Sequence, residues 1–297
     1  KSAVAGLAWR RQHQPAADAP LCEQGAGRCL ELCQRGAPQP WLTRLAMITT
    51  TRHSDAPMDR FRVDLIAATP NPQQCVYAAM HQDYSEGFVA GDRANWPDEQ
   101  RAGEICVKRL LSGERGHYGP MEHAQIVLNV GWFPHSVMQQ ARTHRVGVSF
   151  DVQSMRYTGE RICRAADGVL DLEEVFYLRP IGDYRDRQGK KYAYTDDQRQ
   201  LDLKHCQAAA ERYRDLLQAG FAEEHARGIL PFDYRQHFVV SFSLRAFLHF
   251  MDLRAKLDAQ LEIRQLCDLM WPHLLSWSPE FAAWYEKSRL HRARLAP

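Results

Sequence analysis

The residues best suited to chemistry fall between Gln139 and Tyr157, in the run Q-Q-A-R-T-H-R-V-G-V-S-F-D-V-Q-S-M-R-Y. Arg142, His144, Arg145 and Arg156 stand there beside Ser149, Gln153 and Ser154. The planar guanidinium fork suits phosphate or carboxylate, and Ser and Gln add neutral donors. Together they read as an anion cradle of nucleotide size; composition alone also allows a solvated basic loop. A second polar set lies nearer the C-terminus. Arg245, His249 and Asp252 are spaced to share one helix face, and taken alone they read as a solvated or ion-paired face. His117, Glu122 and His123, in G-H-Y-G-P-M-E-H, are metal ligands by type, but their spacing fits no metal motif and no metal is expected.

These groups need elements to hold them. Pro134 followed by Val137, Met138 and Ala141 predicts a short helix ending near Thr143, ahead of Gly147. Before it, Ile126, Leu128, Val130 and Trp132 recur at every second position, which predicts a strand with those four facing one way. Strand, helix and loop in that order would keep a cradle rigid. Upstream, Phe61, Val63 and Leu65 alternate with charged residues as a half-buried strand. A helix starting near Pro72 carries Val76, Ala79 and Met80, and another over 98–111 carries Ala102, Ile105, Cys106, Leu110 and Leu111.

Downstream of Tyr157 lies a long polar connection, with a short strand expected over 175–178 and an exposed charged loop over 183–192. A helix follows from about Asp197 to Ala219, with Gly220 placed as its C-cap. Glu224 and Arg227 fall three apart on one helix face. Leu244, Phe247, Leu248 and Met251 make the apolar stripe of the next helix, and Ile263, Leu266, Cys267 and Met270 repeat it in the last. Arg254 does not share the Arg245 face and requires a helix break or a partner of its own.

Composition bounds the rest. A chain of 297 residues with 45% hydrophobic and 25% charged content can bury a large core. The net charge of +2 gives no global field for nucleic acid, so an anion site must be local. No two of the eight cysteines have C-x-x-C spacing, which suits scattered reduced thiols in a cytoplasmic protein rather than zinc or a disulfide frame. No apolar run approaches the roughly 20 residues of a membrane span. Residues 1–57, rich in Ala, Gly, Pro and Gln with no sustained period, read as a disordered extension or as sequence upstream of a start at Met58, with the ordered domain over 58–297.

At this point the residues reach a known family. R-T-H-R-V-G-V-S-F-D-V-Q-S-M-R-Y resembles the signature of flavin-dependent thymidylate synthases, which is R-H-R, seven residues, then Ser, commonly followed by x-R-Y. The likeness continues in H-Y-G-P-M-E-H, A-R-G-I-L-P and L-R-A-K-L-D-A-Q-L-E-I-R, in the family's order and over most of the chain from Met58. The longer 158–200 connection and the T-H-R variant are similar to the cyanobacterial branch. The resemblance implies an α+β fold, an antiparallel sheet flanked by helices in a single catalytic domain. It implies conversion of dUMP to dTMP, with methylenetetrahydrofolate giving the carbon and NADPH reducing a bound FAD. It also implies a homotetramer with shared active sites, and no cysteine nucleophile.

Carried over residue by residue, the resemblance gives Thr143, His144 and Arg145 to FAD. Ser243, Leu244, Arg245 and His249 go with them, as do His117 and Gly119. It gives dUMP to Gln140, Arg142, Gln153, Ser154, Met155, Arg156 and Arg227. Arg254 falls on the arginine beside the pyrimidine that promotes ionisation at N3. The chain departs from the family at Thr143, which replaces the first Arg of R-H-R. One extra residue also precedes Ser154, so Asp151 or Val152 takes the family's Glu position; the carboxylate favours Asp151, which the resemblance then gives to FAD. Ser243 and His249 stand where the family has asparagines. Two other classes remain: a catalytically silent nucleotide- and flavin-binding paralogue, and a basic-loop nucleic-acid binder. The low net charge and the lack of an interleaved aromatic platform speak against the latter.

Overall fold

The computed structural model describes residues 60–113, 116–186 and 188–290. The expectations for residues 1–57 and for a start at Met58 lie outside the described residues. The fold is α+β. Strand β1 (Arg62–Ala68) leads to helix α1 (Pro72–Gln82) and then to α2 (Glu99–Cys106), which continues as a π-helical turn over Val107–Leu111. A 3-10 turn, Gly119–Glu122, precedes β2 (Gln125–Pro134), α3 (His135–Ala141) and β3 (Val148–Val152). Short helices α4 (Met155–Thr158) and α5 (Glu160–Ala166) come next, then β4 (Gly182–Arg185), β5 (Lys191–Tyr194) and the long α6 (Asp196–Gln218). The chain closes with α7 (Glu223–Ala226), β6 (Arg235–Ser243), α8 (Leu244–Arg254), α9 (Leu261–Trp277) and α10 (Pro279–Ser288).

The main sheet is antiparallel throughout, in the order β1-β2-β6-β3. Its inner face carries Ile126, Leu128, Val130, Phe238, Val240 and Phe242, all buried in one core with the apolar stripes of α8, α9 and α10. A second, smaller core joins α5 and α6 through Ile162, Ala165, Cys206, Ala210 and Tyr213, with Val175 and Phe176 packed in. Local chemistry sets the helix starts. Asp98 accepts a bond from Arg101 N at 2.7 Å and opens α2, while Thr195 and Gln198 form a capping box at α6. The N-terminus of α1 is capped from a distance: the Glu99 carboxylate accepts from the Gln73 and Gln74 amides at 2.7 and 2.9 Å.

Several expectations are corrected. Trp132 does not face the core with Val130. The register shifts between Val130 and Phe133, Trp132 adopts a left-handed φ of 63°, and Phe133 takes the inward place, stacked on Phe61 at 4.1 Å. The indole turns outward and donates to Glu174 at 3.2 Å. Leu65 is half exposed, because β1 is an edge strand and shifts register between Leu65 and Ala67. Residues 175–178 form no strand; Phe176 makes one isolated bridge to Tyr234 after a 3-10 turn over Leu172–Glu174. The charged run over 183–192 is not a plain loop but the hairpin β4–β5. Where the residues predict a loop in the cradle, the chain forms an edge strand, β3, paired with β6. Strand β6, the second central strand, and the final helix α10 go beyond the elements expected from the sequence.

Candidate active site

The first half of the site is the junction of α3 with the end of α8. Helix α3 stops at Ala141, and the turn that follows presents Thr143 and His144 to Arg254, the last residue of α8. Arg254 donates from Nε to His144 Nε2 at 3.0 Å, and from Nη2 to the Gln140 carbonyl at 2.9 Å and to Thr143 Oγ1 at 2.7 Å. Thr143 itself donates to the Gln140 carbonyl at 2.8 Å. All three acceptors of Arg254 are uncharged. Among the described residues no carboxylate pairs with this half-buried cation, and its Nη1 group makes no hydrogen bond. The break that Arg254 required is present, since α8 ends there.

His144 is buried, packed against Phe250 at 4.9 Å and His249 at 5.6 Å between ring centres. Burial lowers its pKa to about 4, with help from the Arg254 charge and from His249. The ring is therefore neutral near pH 7. Since Nε2 accepts from Arg254, the proton sits on Nδ1.

The second half adjoins the first through His144 and His249. Ser243 caps α8, accepting from Ala246 N at 3.2 Å, and its hydroxyl donates to Glu122 at 2.6 Å. The other oxygen of Glu122 pairs with Arg245 at 3.3 Å, and the Arg245 guanidinium lies 5.8 Å from the Tyr118 ring centre. Gly147 makes this close approach possible. Its φ is +68°, and a Cβ there would meet Ser243 Oγ at 2.5 Å and Glu122 at 2.9 Å. A cavity of about 250 Å³ opens beside these groups, lined by Tyr118, Glu122, Val146, Arg245, His249 and Trp284. The Nδ1 atom of His249 is buried without a partner. An arginine, a histidine and two aromatic side chains around one cavity suit an aromatic, anionic cofactor such as FAD. Asp252 does not join this face as a solvated group: it is buried and held by Arg289 at 2.6 Å. Leu244 also lies in the core, so any ligand contact from it is through its backbone.

The remaining predicted residues lie apart from Arg254. Gln153 is fixed at the end of β3 by its backbone bond to His237 at 2.9 Å, and its side chain accepts from His237 N at 3.4 Å. The Ser154 carbonyl caps α4, accepting from Tyr157 N at 3.0 Å. Met155 is buried in the second core, which leaves only its backbone for a ligand. Arg156 is exposed and pairs with Glu224 at 3.3 Å, its guanidinium 5.9 Å from the Tyr157 ring centre. Arg227 begins a 3-10 turn after α7 and is exposed, as are Arg142 and Arg145. On β3, Asp151 points outward while Val152 packs on the core. His117 pairs with Asp83 at 2.9 Å on the surface, and a Cβ on Gly119 would meet nothing. No hydrogen bond or ion pair among the described residues joins Arg156 or Arg227 to Arg254. The structure also brings in Glu122, considered from the sequence only as a metal ligand type, together with Gln260, whose amide accepts from Gln140 Nε2. Both stand inside quoted motifs, but only the fold shows their contacts.

Comparisons with known proteins bear on the family. The family model described as "Thymidylate synthase complementing protein" matches residues 64–280. The flavin-dependent thymidylate synthase of Haloarcula marismortui is 32% identical over 250 residues, covering 79% of this chain and 99% of its own. That of Halobacterium salinarum is 31% identical over 251 residues, covering 80% and 100%. Two solved structures share the fold. Thymidylate synthase X from Helicobacter pylori, with FAD and dUMP, aligns at a TM-score of 0.56 and 17% identity over 76% of this chain and 98% of its own. The UMP/dUMP methylase PolB from Streptomyces cacaoi, bound with 5-Br dUMP, aligns at 0.58 and 22% identity over 78% and 96%. The family model spans residues 64–280 and these two relatives are matched at nearly their full length, so the chain belongs to the flavin-dependent thymidylate synthase family.

Proposed function

We propose that the chain converts dUMP to dTMP at a site that holds FAD, with methylenetetrahydrofolate as carbon donor and NADPH as reductant, residues 58–297 acting as one catalytic domain in the cytoplasm. When bound, the FAD supplies the hydride that reduces the transferred carbon. The observation that carries the reading is Arg254, a cation held by three neutral acceptors with one amino group still free. A guanidinium fixed without a counter-ion is suited to stabilise negative charge as it develops on a pyrimidine ring. His144 holds it by accepting from Nε, and Gln140 and Thr143 hold Nη2, so Nη1 can donate to the ring without reorganising. Arg245, His249 and Glu122 line the cavity for the flavin, and Ser243 holds Glu122 in place through its hydroxyl. The outward carboxylate of Asp151 supports giving it, rather than Val152, the family's Glu position. Arg156 and Arg227 suit the phosphate of dUMP. Their separation from Arg254 in contact terms supports a homotetramer whose sites combine residues of different copies.

The test uses purified protein. The expected result is a yellow preparation that releases tritium from 5-labelled dUMP only with NADPH and methylenetetrahydrofolate. Protein that binds flavin and dUMP without release would make it a silent paralogue, and colourless protein that takes up no FAD would overturn the flavin reading.

A further inference from the structure

The run L-R-A-K-L-D-A-Q-L-E-I-R supplies Arg254, yet the reaction gives no task to its Gln260 and Glu262. Glu262 is wholly buried, which a carboxylate tolerates only when paired and hydrogen-bonded. Its Oε1 accepts from Arg179 Nε at 2.7 Å and from the Tyr177 hydroxyl at 3.1 Å, and its Oε2 accepts from Gln260 Nε2 at 2.7 Å. Burial pushes the pKa of Glu262 up, but its bonds to Arg179 and Gln260 and the Arg179 charge outweigh that and hold it below the ordinary value. An ionised carboxylate only accepts.

That fact sets the direction of every amide in the chain of contacts. Gln260 must turn its NH2 toward Glu262, where it also donates to Ser136 Oγ at 3.3 Å. Its carbonyl oxygen therefore faces α3, where it accepts from Gln140 Nε2. Gln140 has its nitrogen committed inward, and its Oε1 accepts no hydrogen bond from any described residue. The backbone carbonyl of the same Gln140 holds Arg254 at 2.9 Å, so the amide is anchored beside the proposed pyrimidine subsite.

We propose that Glu262 is a positioning residue for the nucleotide: acting through Gln260, it presents Gln140 with its carbonyl oxygen outward, as an acceptor for an N–H or O–H group of the bound nucleotide. This rests on the reading of Gln140 as a dUMP-binding residue. Phosphate oxygens at neutral pH are acceptors, so the outward carbonyl oxygen serves a donor group of the nucleotide and not its phosphate. The relay extends outward too. Arg179, the counter-ion of Glu262, donates to the Tyr192 hydroxyl on β5 at 2.5 Å, which makes the hairpin a brace for the buried carboxylate.

The experiment compares flavin-loaded wild-type protein with Glu262→Gln and Gln260→Leu. Glu262→Gln gives Gln260 a partner of either polarity. Gln260→Leu cuts the relay while leaving the Glu262–Arg179 pair whole, and so serves if the first variant fails to fold. Titration with dUMP is expected to show Kd and KM raised several-fold to about tenfold in both variants, the worth of one misdirected hydrogen bond. FAD content and kcat should stay near wild type. Folded, yellow Gln260→Leu protein that binds dUMP as wild type does would overturn the proposal. So would parallel loss of FAD and dUMP binding, which marks a purely structural role. Wild-type protein that binds FAD but no dUMP would instead overturn the functional reading beneath it.

Discussion

Arg254 and Arg156 are both arginines assigned to the same nucleotide, and the fold treats them in opposite ways. Arg254 is half-buried, held by a carbonyl, a hydroxyl and a neutral imidazole, and keeps its full charge uncompensated. Arg156 is exposed and already paired with Glu224. A cation without a counter-ion in a partly desolvated setting is costly to keep, and the cost is recovered only when negative charge arrives. A surface pair costs little to form and little to exchange. The first arrangement suits chemistry and the second suits capture.

Four measurements sharpen or break that contrast. The largest effect is expected from Arg254→Ala, which should keep bound flavin but lower kcat by roughly a hundred- to a thousand-fold, as the loss of one preorganised donor does. Turnover like wild type would remove Arg254 from the mechanism. Next comes pH. The folded pKa of His144 is about 4, against an ordinary 6.5, so the unfolded chain binds the extra proton between those values. Its contribution to stability is whole above pH 6.5 and is lost as pH falls toward 4, by about 3 kcal/mol at most. Thermal melts of wild type and His144→Gln across that window should differ in slope, and equal slopes would break the account of a neutral clamp. Third, Arg156→Ala should raise the dUMP KM by about ten-fold or somewhat more with kcat nearly unchanged. The penalty should shrink at high salt, as suits an exposed charge. A kcat loss as large as that of Arg254→Ala would erase the distinction between the two arginines. The smallest effect belongs to Glu224→Gln, which frees Arg156 and should change stability by no more than about 0.5 kcal/mol. A large drop in melting temperature would show the pair to be structural.

Much of this was legible from residues alone, for reasons that can be named. Helices α1, α3 and α6 announce themselves by Pro72, by Pro134 with its apolar followers, and by Gly220 just beyond the end of α6. Arg254 could be recognised as a residue needing a helix break, because it falls off the Arg245 face. Strand β6 was hidden because Arg235 and Gln236 open it as buried polar residues, whereas a strand is sought by alternation. Arg235 is buried by turning its guanidinium to the carbonyls of Glu173 and Trp132, contacts distant in sequence. Trp132 kept the apolar rhythm of β2 and broke its geometry, since a bulge reverses the face without altering residue type. The relay from Glu262 to Gln140 was written in a quoted motif, but a motif does not reveal that one carboxylate lies wholly out of water.

The edge position of β3 has a consequence for solubility. This five-residue strand ends the main sheet, turns Val148, Phe150 and Val152 toward the packed side and leaves Ser149 and Asp151 facing out. A short rim strand bearing a charge discourages a stray polypeptide from continuing the sheet there. Asp151 therefore guards this edge against stray strand pairing whatever else it contacts, and an apolar replacement made to probe the flavin should be checked for aggregates by light scattering before any lost activity is ascribed to chemistry.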